Sequence, residues 1–118
     1  MNPETSITHV ILATDVIIFR LLKNQLQTVL VKTKGDKFHG HFAFPGGLLK
    51  VDEKLEDAAF RFYSSVMKTS RRKPYFEQLY TFGDPGRDPS GRVVSVAYFA
   101  LVPSDIDLNP HQSEFPAT

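Results

Sequence analysis

The stretch Phe44-Pro45-Gly46-Gly47 through Met67, FPGGLLKVDEKLEDAAFRFYSSVM, constrains the fold more than any other part of the chain. It opens on a Pro-Gly-Gly turn and passes into an amphipathic helix. Leu55, Ala58, Ala59, Phe62 and Val66 fall at i, i+3, i+4, i+7 and i+11, which puts them on one face of three to four turns. Asp52 is placed to cap its start, and Glu53, Glu56 and Asp57 load the positive end of the helix dipole. Pro74 forbids continuation beyond the basic run Arg71-Arg72-Lys73. This is the one convincing helical pattern, so the rest of the core has to come from strands.

The strand patterns flank it on both sides. Val10 to Leu22 is rich in Val, Ile and Phe, and Gln27 to Thr33 alternates; the polar turn Lys23-Asn24-Gln25 joins them as a hairpin. His41 to Phe44 and Leu48 to Val51 read as short extended pieces. Phe76 to Phe82 and Arg92 to Val102 read as a further strand pair around GDPGRDPSG, a loop long enough and rich enough in Gly, Pro and Asp to carry function. Residues 104–118 are polar and without periodicity, and the reading for them is a loop or disordered tail. The sum is an α+β domain, one helix against a mixed or largely antiparallel sheet.

Composition bounds the rest. At 118 residues the chain makes a single domain, 1–118, and its formal net charge of +1 points to no bulk attraction for nucleic acid. Without cysteine there is no disulfide, thiolate metal site or cysteine nucleophile. No signal peptide is visible, and the longest apolar run is interrupted by Thr14, Asp15 and Arg20, so no membrane span is expected and a cytoplasmic location is the default.

The central segment resembles the Nudix box, Gx5Ex7REUxEExGU with U a bulky aliphatic. Gly47, Glu53 and Arg61 stand at the matching intervals. After Arg61 the pattern breaks: Phe62, Ser65 and Val66 occupy the glutamate positions, Tyr63 the aliphatic one, and Lys68 the glycine. The flanking segments KFHGHFAFPGGLLKVDEKLEDAA and YFEQLYTFGDPGRDPSGRVVSVAYFALV are similar to the ADP-ribose pyrophosphatase-like branch. The second is long and specific, and within that branch the chain is most similar to the Nudix domain of Nudix-related transcriptional regulators of NAD metabolism. The resemblance implies a Nudix fold, an α/β/α sandwich, here lacking the usual C-terminal strand and helix; either the chain is a fragment or shortened gene product, or the domain completes itself as a homodimer.

A diphosphate hydrolase of this family needs Mg²⁺ held by hard oxygen ligands, carboxylates above all. Phe62 and Val66 offer none and Ser65 only a weak neutral one, so no metal is expected there. Phe62 and Val66 are equally well read as core residues of the helical stripe. The resemblance then implies a domain that binds ADP-ribose or a related nucleoside diphosphate as a sensor, without efficient hydrolysis. The alternative is a Mg²⁺-dependent hydrolase cleaving such a substrate through Glu53 and Glu77, with Asp84 as a helper.

The ligand set implied is Phe44, Gly46, Gly47, Arg61, Tyr80, Arg87 and Arg92. Guanidinium forks match phosphate oxygens and aromatic rings stack on a base. Each has a plainer reading too. Gly46-Gly47 could be a turn, Phe44 and Tyr80 core aromatics, and Arg87 and Arg92 solvated loop residues. Arg61 is expected to pair with Glu53. His39 and His41 flank Gly40 but make at most two metal ligands, and Arg71-Arg72-Lys73 fits a solvated helix end better than a nucleic-acid contact. The related regulators contact DNA through a winged-helix domain that this chain does not include, so DNA is a partner only through such a domain.

Overall fold

The computed structural model describes residues 7, 9–32, 41–68, 73–89, 91–103, 105–108 and 113–116. His39, Arg71 and Arg72 lie outside them.

The alternating apolar run forms β1 (Ile11–Leu22), which turns back as β2 (Gln25–Lys32). Lys23 and Asn24 make a two-residue turn with φ of 52° and 63°. Two consecutive positive φ values match the twist of a tight hairpin, and Asn tolerates this region better than most residues. β3 (Phe42–Ala43) and β4 (Gly46–Leu48) follow, then the helix α1 (Leu55–Val66), β5 (Glu77–Phe82), β6 (Val93–Val102) and β7 (Ser113–Pro116). The main sheet order is β3-β2-β1-β6-β5, with β4 paired to β1 and β7 to β2. β1 and β6 are parallel from Ile11↔Val93 to Arg20↔Val102, and the remaining pairings are antiparallel. The sheet is therefore mixed, as expected.

The period of two on β1 separates two faces. Thr14, Val16, Ile18 and Arg20 are buried, while Ala13, Asp15, Ile17 and Phe19 between them are half-buried. On the first face Val16 and Ile18 join Val96, Tyr98, Ala100 and Val102 of β6 and meet Ala59, Tyr63 and Val66 of α1. Each fully buried Val or Ile here contributes about 1.5–3 kcal/mol. Tyr63 also meets Phe76 edge to face, with ring centroids 5.7 Å apart. Burial raises the Tyr63 pKa and keeps its phenol neutral.

The helix ends differ from the sequence expectation. Lys54, not Asp52, occupies the N-cap, and it makes no side-chain capping bond. A turn ahead of the helix explains the shift. Glu53 N–H donates to the Lys50 carbonyl and Lys50 N–H donates to the Glu53 carboxylate, each at 3.1 Å, so Asp52 is held inside that turn. At the other end α1 stops well before Pro74. Met67 adopts extended backbone, is fully buried, and bridges Leu108, while Lys68 N–H donates to the Asp107 carbonyl. A buried anchor and a returning strand segment stop the helix, with no need for a proline.

The reading of 104–118 as loop or tail changes in part. Residues 105–108 return to the core, where Arg20 donates to the Ile106 carbonyl at 2.6 Å. Ser113–Pro116 pair with β2 from Leu30↔Ser113 to Gln27↔Pro116. Four residues ending in proline carry too little pattern to betray a strand whose pairing comes from β2's open edge.

Candidate functional site

The hairpin does not stay closed along its length. β1 and β2 are paired only from Phe19↔Thr28 to the turn. Nearer the start of β1 the edge is taken by β4, at Ala13↔Leu48, Thr14↔Gly47 and Asp15↔Gly46, while β3 pairs with β2 at Val31 and Lys32. A cleft of about 760 Å³ lies here, bounded by β1, β3, β4, β6 and residues 87–89, with Val31 the one residue of β2 in its lining. Ile11, Ala13, Val31, Phe42, Ala43 and Val93 give it apolar walls; Asp15, His41, Arg87, Asp88 and Ser95 are its polar lining. That mix of apolar surface and a few polar groups is what a small-molecule site requires.

Four of the sequence-derived ligand residues, Phe44, Gly46, Gly47 and Arg87, line this cleft. Both glycines are needed for close approach. A Cβ on Gly46 would fall 2.5 Å from the Thr14 carbonyl oxygen and collide with the Asp15 carboxylate; one on Gly47 would come within 2.9 Å of the Phe62 ring. Arg61, Tyr80 and Arg92 lie outside the lining, as do Glu53, Glu77 and Asp84. Tyr80 is exposed on the edge strand β5 and packs beside Phe82, with ring centroids 4.9 Å apart. Arg92 donates to the Gly83 carbonyl at 2.7 Å and Arg87 to the Phe82 carbonyl at 3.3 Å, so both arginines brace the Gly/Pro/Asp loop. Asp15 and Ser95 were not singled out for the site from sequence. The available signal was an acidic residue in the middle of an otherwise apolar strand.

Beneath the cleft, Arg61 clasps Glu53 with two parallel bonds, Nε to Oε2 at 2.8 Å and Nη2 to Oε1 at 2.9 Å. A third bond runs from Nη2 to the Leu48 carbonyl at 3.0 Å, which ties the helix to β4. The Arg61 bonds, supported by the Lys50 N–H, lower the Glu53 pKa from 4.5 to about 2, against the opposing effect of desolvation. The guanidinium also lies over the Phe62 ring, 4.4 Å from its centroid.

The side chains at the positions past Arg61 are engaged in packing and local bonds. Val66 is 2% exposed within the core cluster, and Phe62 packs against that cluster with its ring under Gly47. Ser65 turns its hydroxyl to the Phe62 carbonyl at 2.6 Å. Among the described residues no group of three or more His, Asp and Glu is placed to hold a metal ion. The Mg²⁺ expected of a diphosphate hydrolase therefore does not fit the residues present: one ligand position is a core valine and another an aromatic ring.

Comparison with known proteins accords with this geometry. No protein-family model matches the chain. The ADPR responsive transcriptional repressor NtrR of Acinetobacter baylyi is 32% identical over 92 residues, which is 78% of this chain and 37% of that protein. The ADP-ribose pyrophosphatase of Methanocaldococcus jannaschii is 31% identical over 79 residues, 66% of this chain and 45% of that protein. Among solved structures, the NUDIX domain of Shewanella oneidensis NrtR, crystallised with ADP ribose, superimposes with a TM-score of 0.74 at 27% identity. It covers 98% of this chain and 78% of that one. The fold is the Nudix fold, an α+β architecture with one helix among the described residues packed on a mixed sheet. Within it, the chain stands in the ADP-ribose pyrophosphatase-like branch, near the ADP-ribose-responsive regulators. It spans less than half the length of the two curated relatives. No helix among the described residues is long and apolar enough to cross a membrane.

Proposed function

We propose that the cleft lined by β1, β3, β4 and β6 binds ADP-ribose or a closely related nucleoside diphosphate and does not hydrolyse it efficiently. The observation that carries this reading is the state of α1. The chain from Glu53 to Arg61 keeps the clasp that ties the helix to β4, while the helix past Arg61 spends the metal-ligand positions on packing: Val66 in the core and Phe62 under Gly47. A pocket-forming scaffold without a metal face suits recognition. Relatives named for a response to ADP-ribose and for a complex with it support the choice of ligand. Contact with DNA would need a separate domain, and a homodimer and a cytoplasmic location belong to the same reading.

Binding that needs no metal separates this from the hydrolase. Isothermal titration with ADP-ribose is expected to give the same affinity in excess Mg²⁺ and in excess chelator. An affinity that collapses on chelation would favour the Mg²⁺-dependent alternative, and heat changes indistinguishable from dilution in both would remove the ligand.

A further inference from the structure

The floor of the cleft carries a carboxylate that neither the motif nor the clasp uses. Asp15 sits at the middle of β1, opposite Gly46 of β4 and beside Ala97 of β6. It is half-buried and lines the cleft. Ser95, itself 2% exposed, donates its hydroxyl to Oδ2 at 2.5 Å from 80 positions away in the chain. Among the described residues that bond is the one polar contact of the Asp15 side chain, and no basic side chain pairs with the carboxylate. Oδ1 lies against Gly46, where any side chain would collide with it. The arrangement is an oriented anion in a mostly apolar hollow, with one oxygen fixed and the other in need of a donor.

An ionised carboxylate only accepts hydrogen bonds. A phosphate brought beside it would add like charge in a setting of reduced dielectric, whereas a hydroxyl or amine N–H would complete it. The cation nearest to serving a phosphate in this lining is Arg87, on the loop, a different element from the strands that hold Asp15 and Ser95. We infer that Asp15, oriented by Ser95, selects the donor-bearing end of the ligand, its ribose hydroxyls or base amine, and excludes phosphate from the cleft floor. The diphosphate then lies toward Arg87. This inference rests on the cleft being the nucleotide site.

Calorimetric titration of the wild-type chain, Asp15→Asn and Ser95→Ala tests it. The probes are ADP-ribose, its inosine-base analogue lacking the exocyclic amine, and inorganic diphosphate. Loss of a charge-assisted bond is expected to weaken ADP-ribose about tenfold or more in Asp15→Asn. Diphosphate binding in the same variant is expected not to weaken. Ser95→Ala is expected to shift both ligands the same way by less, and it serves as the test should Asp15→Asn fail to fold. If the wild type already disfavours the inosine analogue and Asp15→Asn no longer discriminates, the donor is the base amine. If the wild type binds both nucleotides equally and Asp15→Asn weakens both, it is the ribose. Unchanged ADP-ribose affinity in Asp15→Asn, or equal weakening of ADP-ribose and diphosphate, would overturn the assignment. A wild-type chain that binds no ADP-ribose would instead overturn the ligand reading beneath it.

Discussion

The two halves of the segment from Gly46 to Val66 have been put to opposite uses. The first half is held by polar geometry: Glu53, Arg61, the Lys50 N–H and the Leu48 carbonyl form a closed set of bonds around a glycine turn. The second half is held by apolar contact, with Tyr63, Val66 and Met67 in the core and Phe62 against it. A metal site needs both halves polar, because the clasp orients the helix and the next turn presents the ligands. Here the orienting half remains and the presenting half is core. On the proposed reading, shape and chemistry in this fold are separable along one segment.

The largest expected effect breaks the apolar half. Val66→Glu restores a glutamate where the resembling motif has one, yet it buries an unpaired charge at a position 2% exposed. A loss of about 3–5 kcal/mol is expected, a large fraction of the stability of a small domain. Urea unfolding measures it. A variant as stable as the wild type would mean that residue 66 faces solvent and that the two halves do not differ as described.

Next come the glycines that join the halves. Gly46→Ala would push a methyl into the Thr14 carbonyl and the Asp15 carboxylate, and a cost of about 3 kcal/mol is expected. Gly47→Ala meets only the Phe62 ring, 2.9 Å away, and should cost about 1 kcal/mol. The second cost should fall when Phe62→Leu is combined with it. A double-mutant cycle on melting curves shows whether Gly47 and Phe62 are coupled.

The clasp has a signature in pH. Because the folded-state pKa of Glu53 is lowered from 4.5 to about 2, the folded chain favours the ionised form. Its contribution to stability is full above 4.5 and fades as the pH falls toward about 2. Glu53→Gln should lower the melting temperature at neutral pH by less than Val66→Glu does, and should flatten the acid limb of the stability curve in that window. A variant that keeps the wild-type acid limb would place that titration elsewhere.

The smallest effect belongs to the outer face of the helix. The Lys73–Asp57 pair is 3.5 Å apart with both side chains well exposed. Lys73→Ala should change stability by no more than about 0.5 kcal/mol. A larger loss in the melting curve would show that the helix is held from its solvent side as well.

What the sequence made legible follows from pattern length. β1, β2, β5 and β6 are six to twelve residues long, enough for their composition and period to show, and α1 carries a full apolar stripe. The Glu53–Arg61 pair was legible through the resemblance to the Nudix box. The cleft was not, because β3 and β4, two and three residues long, form much of its wall. Runs so short carry no period. Asp15 was hidden for a related reason: in a strand, only pairing partners decide whether an odd residue faces a core, solvent or a cavity. Whether Phe62 and Val66 were vacant ligand positions or core residues also needed the structure, since the same apolar stripe allows both.

The most direct test of a retained scaffold with replaced chemistry is a phosphorus NMR time course of ADP-ribose with the protein and Mg²⁺. Shifted or broadened diphosphate signals with no new peaks are the expected result. Steady growth of AMP and ribose 5-phosphate signals would contradict it and show that hydrolysis proceeds without the glutamates that Phe62, Ser65 and Val66 replace.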